Sequence, residues 1–422
     1  MVAELSSPQH ETDDGQSSTG RHGVYVYNLG TAYTSGISKS PWNSGRNWDC
    51  HRTMYSMDVR LHKWLLRPDM RASSPETAAA YFIPFYQSCL RHACAKPSKL
   101  HCMWNETNQF ENPSVGDGRV KALKQVMELY PWFNRSKGRD HFITLTHDLA
   151  SIERIGSSFI DPLVIPDQKS QLRRIVTSSD RHRGFLRGRD YSIPPRLFAW
   201  QGVVRVNRTN RRLAADRSPD IYFRGAFDNS YSSPIRAEVW RHWGCTHEHN
   251  DSCTRQSGGQ VYVMNRHAPQ PNDVPYLTRL QRSRFCLHMP GHQYWSPRLF
   301  EAIVEGCIPV AIVSNASADP LEGYAFPFLE ELPVGRRQPP VLTYGMADIP
   351  RLPQLLFSLP NATLSRMMRV MDAYSGMIYP EQKVLARIST WMRRTGRWAT
   401  LEYQTCIQTP VFKSFYSCPH CI

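Results

Sequence analysis

The chain has 422 residues, of which 41% are hydrophobic and 11% aromatic. It is long for one core, and it has enough apolar side chains for a large buried interior. A formal net charge of +15 favours an anionic partner such as nucleic acid, an anionic glycan, a membrane surface or phosphate groups. The basic residues are scattered, and no zinc-finger spacing or RNA-binding signature is present, so we expect no nucleic-acid partner.

The amino-terminal residues 1–21 are polar and predicted to be disordered, and they lack the features of a signal peptide. No stretch of the chain approaches the roughly 20 apolar residues of a membrane span. Six Asn-x-Ser/Thr sequons nevertheless indicate a glycosylated protein of the secretory lumen. They are centred on Asn105, Asn134, Asn207, Asn250, Asn315 and Asn361. We therefore expect a protein of the Golgi or ER lumen, held at the membrane by an anchor not present in this chain. The alternative is a cytosolic protein with accidental sequons.

Eleven cysteines fit an oxidising compartment. Cys245 and Cys253 flank a polar loop and form a candidate disulfide. Cys286 and Cys307 lie in apolar runs and are predicted to be buried thiols. Two histidines lie between Cys245 and Cys253, but the spacing matches no standard zinc pattern, so we predict no metal site there.

The first half of the chain alternates strand and helix patterns. The predicted elements are a strand over 23–28, a helix over 75–80 capped by Ser74, a strand over 81–85, a helix over 120–130, and strands over 142–146 and 163–165. This alternation predicts a parallel sheet, with ligands bound where the strands end. Between residues 185 and 218 the pattern weakens, and we predict an interdomain region.

A second α/β unit follows. Its predicted elements are strands over 220–225, 260–263 and 341–344, and helices over 235–243, 275–281, 364–374 and 382–393.

Within this unit, residues 283–314 carry the most specific pattern. An apolar strand over 285–289 leads into a turn at Pro290 and Gly291. Ser296 is a good N-cap for a helix that ends at Gly306, and a second strand covers 308–313. Because the first amides of a helix and its dipole attract negative charge, this turn is a candidate site for a diphosphate.

Charged side chains follow directly in the predicted helix. Arg298 supplies a bidentate cation in the first turn. Glu301 and Glu305 lie on the same predicted polar face, and Glu301 could accept hydrogen bonds from a ribose diol. The alternative is an ordinary strand–helix–strand crossover in which Arg298 and Glu301 form a surface pair.

The same segment resembles the nucleotide-binding region of the exostosin-like family of inverting glycosyltransferases. The matching positions are Ser283, Phe285 to Leu287, Pro290, Ser296, Arg298 to Ile303 and Gly306 to Val310. Further segments resemble the family in the same order, namely residues 24–27, 78–86, 138–148, 220–226 and 233–236.

The resemblance implies an α/β fold of the GT-B type, in which two Rossmann-like domains face each other across a cleft. Residues 22–200 are then an acceptor domain and residues 201–380 a domain that binds the nucleotide-sugar. Residues 381–422 are a carboxy-terminal helix and tail.

The implied activity is the transfer of a sugar from a UDP-sugar to a polysaccharide or to the glycan of a glycoprotein. The partners are therefore a nucleotide-sugar and a glycan acceptor, with oligomers of this or other transferases as a further expectation. The chain has no Asp-x-Asp motif, so we expect no metal or other cofactor.

The expected nucleotide-sugar ligands are all in the second half. They are Arg224, Gly225, Ser283, Pro290, Gly291, Ser296, Arg298 and Glu301. The alternative for Arg224 is a structural arginine at the surface.

An inverting transfer needs a base for the acceptor hydroxyl. Asp148, with His147 beside it, follows a strand of the first half and is the leading candidate. The alternative is that the pair only caps a turn. Asp140 and His141 are second choices, for which a buried structural role is the competing interpretation.

Two loops depart from the family pattern, at residues 291–295 and 314–320. Both are expected to border the donor sugar, so the identity of that sugar is not predicted. These departures also motivate an alternative function, a non-catalytic family member that binds glycan or supports another transferase.

Overall fold

A computed structural model of the chain describes residues 22–30, 33–35, 51, 53–86, 115–146, 171–177, 185, 188–197, 220–227, 233–244, 261–265, 275–291, 296–314, 321, 324–332 and 338–408. Its strands are β1 (Val24–Val26), β2 (Ala80–Ile83), β3 (His141–Leu145), β4 (Arg173–Val176), β5 (Tyr191–Ser192), β6 (Ile221–Gly225), β7 (Val261–Asn265), β8 (Phe285–His288), β9 (Ile308–Val313) and β10 (Leu342–Gly345). They form two parallel sheets, with the orders β1-β2-β3-β4-β5 and β10-β9-β8-β6-β7.

Helices flank both sheets. They are α1 (Met57–Leu65), α2 (Val115–Leu129), α3 (Pro131–Ser136), α4 (Pro234–Trp243), α5 (Tyr276–Arg282), α6 (Pro297–Glu305), α7 (Leu352–Phe357), α8 (Asn361–Ile378) and α9 (Glu381–Gln408). Short 3-10 turns cover Leu329–Glu331 and Met346–Arg351. Of the described helices, none is both long enough and apolar enough to cross a membrane.

The predicted fold class, an α/β protein with two parallel sheets, is confirmed. The first sheet takes its strands from residues 24–192 and the second from residues 221–345. The domain limits at 200 and 380 stay predictions. The predicted disordered segment 1–21 and residues 409–422 of the tail lie outside the described residues.

One predicted element is wrong. Residues 75–80 form a turn, not a helix, because the chain enters β2 already at Ala80. The turn is closed by the Ala78 amide, which donates to the Pro75 carbonyl at 3.4 Å, and by the Thr77 hydroxyl, which donates to the Ser74 carbonyl at 3.1 Å. The predicted strand at 163–165 lies outside the described residues.

The central strands are buried on both faces, as expected for parallel sheets covered by helices. Every residue of β3 and of β9 is buried, and the sequence of β9, Ile-Pro-Val-Ala-Ile-Val, is a continuous apolar run. Pro309 lies opposite Cys286 of β8 in this register. Burial on both faces explains why these strands lack the apolar–polar alternation of half-exposed strands.

The second sheet changes direction at its first strand. From β6 the chain moves outward to β7, and then it returns to place β8 on the other side of β6. The connections that leave β6 and β8 therefore diverge and open a crevice beyond their carboxyl ends, the preferred ligand site in such sheets.

Helix α9 joins the two halves. It follows α8 of the second half but packs on the first sheet, where Trp391 stacks on Tyr191 at 4.4 Å and meets the edge of Phe142 at 5.1 Å. Glu381, at the start of the helix, forms a bidentate ion pair with Arg60 of α1. The carboxy-terminal helix is thus part of the packing of the first half.

The close approach of α9 to β2 depends on a glycine, and we expect a side chain there to weaken the fold. A Cβ on Gly396 would lie 2.0 Å from the Ala79 carbonyl oxygen, so Gly396→Ala must displace the helix. We predict a loss of about 1–3 kcal/mol in the free energy of unfolding, measured by urea denaturation.

The matched control for this change is Gly376→Ala in α8, where a Cβ would meet nothing within 4 Å. Alanine is the better helix former, so this variant should be as stable as the original or up to about 1 kcal/mol more stable. Equal stabilities of the two variants would contradict the packing described for α9.

Candidate functional site

The crevice of the second sheet gathers most of the predicted nucleotide-sugar ligands. Arg224 and Gly225 end β6, and Pro290 and Gly291 follow β8. Gly225 is buried, and a Cβ there would lie 2.4 Å from the Phe223 ring. A side chain at Gly225 would therefore collide with the Phe223 ring.

Ser296 occupies the N-cap position of α6, as predicted, but its side chain does not cap the helix. The hydroxyl lies 3.4 Å from Nδ1 of His288, the last residue of β8. The amides of the first turn therefore receive no hydrogen bond from this serine, and the positive end of the helix dipole points into the crevice.

Arg298 lies in the first turn of α6 and is half-buried. Its Nε donates to the Arg224 carbonyl at 2.8 Å, and its guanidinium lies over the Phe223 ring at 5.6 Å. The structure thus brings Arg298 and the end of β6 together. A cation in the first turn opposes the helix dipole, which indicates a partner of negative charge.

Arg236 belongs to the same group, although we did not predict it from the sequence. It lies in the first turn of α4 and is buried. Its Nη1 donates to the Ala226 carbonyl at 2.9 Å and its Nη2 to the Met289 carbonyl at 3.3 Å. A Cβ on Gly291 would lie 3.2 Å from Nη2. The sequence did contain a signal for this role. Arg236 is a cation in the first turn of a helix that starts at Ser233-Pro234, where the helix dipole disfavours positive charge.

The positive charge of this group affects the pKa of His288. Burial, followed by the charges of Arg236 and Arg298, lowers the pKa of His288 to about 3. The imidazole is therefore neutral near neutral pH, and the cations of the crevice are the two arginines rather than the histidine.

Glu301 does not lie on an exposed polar face, so that part of the prediction is wrong. Glu301 and Glu305 are each 1% exposed, because α5 packs over them. Burial, with a further contribution from Glu301, raises the pKa of the fully buried Tyr276. Gln281 donates to Glu305 at 2.7 Å. A surface pair of Arg298 and Glu301 is thereby excluded, and a contact of Glu301 with ribose stays a prediction.

Ser283 is a further predicted ligand that the structure does not bring to the crevice. It is the C-cap of α5, ahead of the amino end of β8. Its hydroxyl donates to the Arg279 carbonyl at 2.7 Å. Ser283 therefore ends a helix at the opposite end of β8 from the crevice.

The predicted base lies next to a described strand. Strand β3 ends at Leu145, and His147 and Asp148 lie just outside the described residues. Asp140 and His141 are 1% and 0% exposed, so they cannot reach an acceptor hydroxyl.

These two second-choice residues are part of a structural network. His141 contacts Asp140 at 2.7 Å and the Tyr27 hydroxyl at 2.7 Å, and Ser136 donates to Asp140. Burial alone would raise the pKa of Asp140, but His141, Ser136 and Arg135 outweigh it and hold the pKa below its usual range.

The prediction of free thiols at Cys286 and Cys307 is wrong. Both are buried, but they form a disulfide that ties β8 to the start of β9. Their Cα atoms are 5.8 Å apart, because the crossover through α6 returns the chain to the neighbouring strand. Cys245 and Cys253 lie outside the described residues.

Within the described residues, no group of three or more His, Cys, Asp or Glu side chains is arranged to hold a metal ion. Of the sequons, Asn134 and Asn361 are described, and both are exposed. Asn105, Asn207, Asn250 and Asn315 lie outside the described residues.

Comparison with known proteins agrees with this geometry. A family model described as the Exostosin GT47 domain matches residues 18–357, which is most of the chain. The match includes the crevice and both sheets.

Curated relatives cover most of the chain at low identity. A probable glucuronosyltransferase of Oryza sativa subsp. japonica is 26% identical over 382 residues, which are 86% of this chain and 77% of the relative. A second probable glucuronosyltransferase of that organism is 27% identical over 365 residues, 84% of this chain and 74% of the relative. A probable beta-1,4-xylosyltransferase of Arabidopsis thaliana is 24% identical over 386 residues, 86% of this chain and 78% of the relative. The chain belongs to the exostosin GT47 family of glycosyltransferases.

Proposed function

We propose that this glycosyltransferase uses a UDP-sugar donor, inverts the anomeric centre and works without a metal ion. The observation that carries the proposal is the convergence of Arg298, Arg236 and the uncapped start of α6 on one crevice. Such a group can neutralise a leaving diphosphate through side-chain cations and a helix dipole, the role that a metal has in other transferases.

The donor phosphates would lie between the ends of β6 and β8, and Arg224 would add a third cation at the rim. Because Arg298 and Arg236 are already fixed by backbone carbonyls, little side-chain entropy is lost when the anion binds. The names of the relatives, glucuronosyltransferase and xylosyltransferase, make UDP-glucuronate and UDP-xylose the first donors to test.

The acceptor would be a polysaccharide or protein-linked glycan, bound by the first half of the chain. Asp148, with His147 beside it, would take the proton of the attacking hydroxyl as the bond to the anomeric carbon forms and the bond to UDP breaks. Its place after β3 supports the assignment, because ligands of parallel sheets bind beyond the carboxyl ends of the strands.

We expect UDP to stabilise the protein, and we expect EDTA to leave that effect unchanged. At a UDP concentration of about 100 times its dissociation constant, the gain should be about 2.7 kcal/mol in thermal unfolding. Arg298→Gln should weaken UDP binding about tenfold or more, because it removes a charged hydrogen-bond donor. The matched control is Arg282→Gln, an exposed position at the other end of β8.

If UDP gives no shift at any concentration, the chain is a non-catalytic member of the family. A shift that EDTA abolishes would instead show that a metal carries the diphosphate.

A second expectation concerns the base. Asp148→Asn should lower kcat about 10²- to 10⁴-fold with little change in UDP affinity, since the amide cannot accept the proton. Asp69→Asn, at an exposed aspartate paired with Arg67, is the control. The measurement is transfer to an oligosaccharide acceptor, and unchanged turnover in Asp148→Asn would place the base elsewhere.

We also propose that the protein resides in the Golgi or ER lumen. Exposure of Asn134 and Asn361 and the buried disulfide support this location. Endoglycosidase treatment of the protein from its native cells should increase its electrophoretic mobility, and Cys286 and Cys307 should resist alkylation before reduction. Unchanged mobility together with free thiols would indicate a reducing compartment.

A further inference from the structure

A pocket lies away from the crevice, where the two halves of the chain meet. Its volume is about 840 Å³, within the range of ligand-binding pockets. One wall is the edge strand β5, another is the segment 325–331 before β10, and the third is one face of α9. It shares no lining residue with the crevice at the ends of β6 and β8.

The helical wall presents a row of cations. Lys383, Arg387 and Arg394 line the pocket together with Thr390 and Trp391. Counted from Lys383, the other four residues follow in chain order at offsets of 4, 7, 8 and 11 residues. This spacing places all five on one face of the helix. Lys383 and Arg394 are about 16 Å apart along the helix axis, the length of a short oligosaccharide.

Two of the acids in this pocket are already neutralised. Asp190 is buried and held by a bidentate pair with Arg174. Glu331 is paired with Arg387 and accepts a hydrogen bond from the Tyr191 hydroxyl at 2.6 Å.

Two cations remain for a ligand. Lys383 donates to the Gly376 carbonyl at 3.1 Å, which leaves its charge uncompensated by an acid, and Arg394 forms no ion pair within the described residues. Both are exposed, and Glu330 is an exposed carboxylate on the opposite wall.

Aromatic side chains complete the pocket. Trp391, which stacks on Tyr191 at 4.4 Å, is a partly exposed ring of the lining, whereas Phe185, Phe326 and Phe328 border the pocket and are only 9%, 6% and 5% exposed. Flat apolar rings bind the C–H faces of pyranose rings, while charged groups around them bind hydroxyl and carboxylate oxygens. Aromatic rings beside arginine and lysine therefore fit a carbohydrate that carries acids better than a purely apolar ligand.

Other anions fit this pocket less well. Arg387 and Arg394 lie inside α9, where the backbone amides are used within the helix, and the amide of Lys383, in the first turn, already donates to the Pro380 carbonyl at 3.0 Å. Recognition must come from side chains at separated positions, which suits carboxylates spaced along a chain.

We propose that this pocket binds a short segment of an acidic glycan, with hexuronate carboxylates at Lys383 and Arg394 and a sugar ring against the partly exposed Trp391 and Tyr191. The site would hold part of a glycan chain away from the reacting end. The inference does not depend on the transfer chemistry, because the pocket is separate from the crevice that we assign to UDP.

The test compares two oligosaccharides that differ only in their carboxylates, namely β-1,4-linked tetraglucuronate and cellotetraose. Calorimetry at low salt should show binding of tetraglucuronate and at least about tenfold weaker binding of cellotetraose. Arg394→Gln should weaken tetraglucuronate binding about tenfold, and about 0.5 M salt should have a similar effect. The control Arg369→Gln removes an exposed cation of α8 outside the pocket and should leave the affinity within about twofold.

Ala386→Phe fills the pocket and should abolish binding, with the melting temperature as the check on folding. Equal binding of the two oligosaccharides, or full affinity in Arg394→Gln and Ala386→Phe, overturns the proposal. Stabilisation by UDP is measured in parallel on every variant. If UDP does not stabilise the protein without substitutions, that result counts against the proposed donor site and not against this pocket.

Discussion

The arrangement of the crevice in the second half of the molecule depends on two arginines. Their side chains donate hydrogen bonds to backbone carbonyls at the ends of two neighbouring strands. Arg298 holds the end of β6, and Arg236 connects the loops after β6 and β8. Both cations lie in the first turn of a helix, where the dipole opposes them. The hydrogen bonds to carbonyls keep the arginines in place despite this repulsion. An anion in the crevice would relieve this repulsion.

The other constraint is the route of α9. The helix starts in the second half and packs on the first sheet through Trp391 and Glu381. One hydrophobic cluster consequently includes residues of both sheets. The two halves share part of their core. Substitutions in α9 therefore alter the packing of the first sheet and of its junction with the second.

Sequence reasoning succeeded where local signals were complete. The β8–α6–β9 unit was predicted because an apolar run, a serine N-cap and a terminal glycine marked each boundary, and Gly306 indeed adopts a φ of 75°. It failed where distant pairing decides the outcome. Strand β5 has two residues and exists only through β4. Arg236 was not predicted as part of the site, because one of its acceptors, Met289, lies 53 residues further on. The pairing of Cys286 with Cys307 likewise depends on the crossover.

The disulfide has a consequence for how this family member can diversify. It closes a covalent ring that contains Pro290, Ser296, Arg298 and Glu301. The ring is joined at β8 and at the start of β9. Residues inside the ring can change without altering where the ring is fastened. Residues 291–295, which depart from the family pattern in the sequence, lie within this ring. Substitutions inside the ring therefore leave the covalent link between β8 and the start of β9 in place.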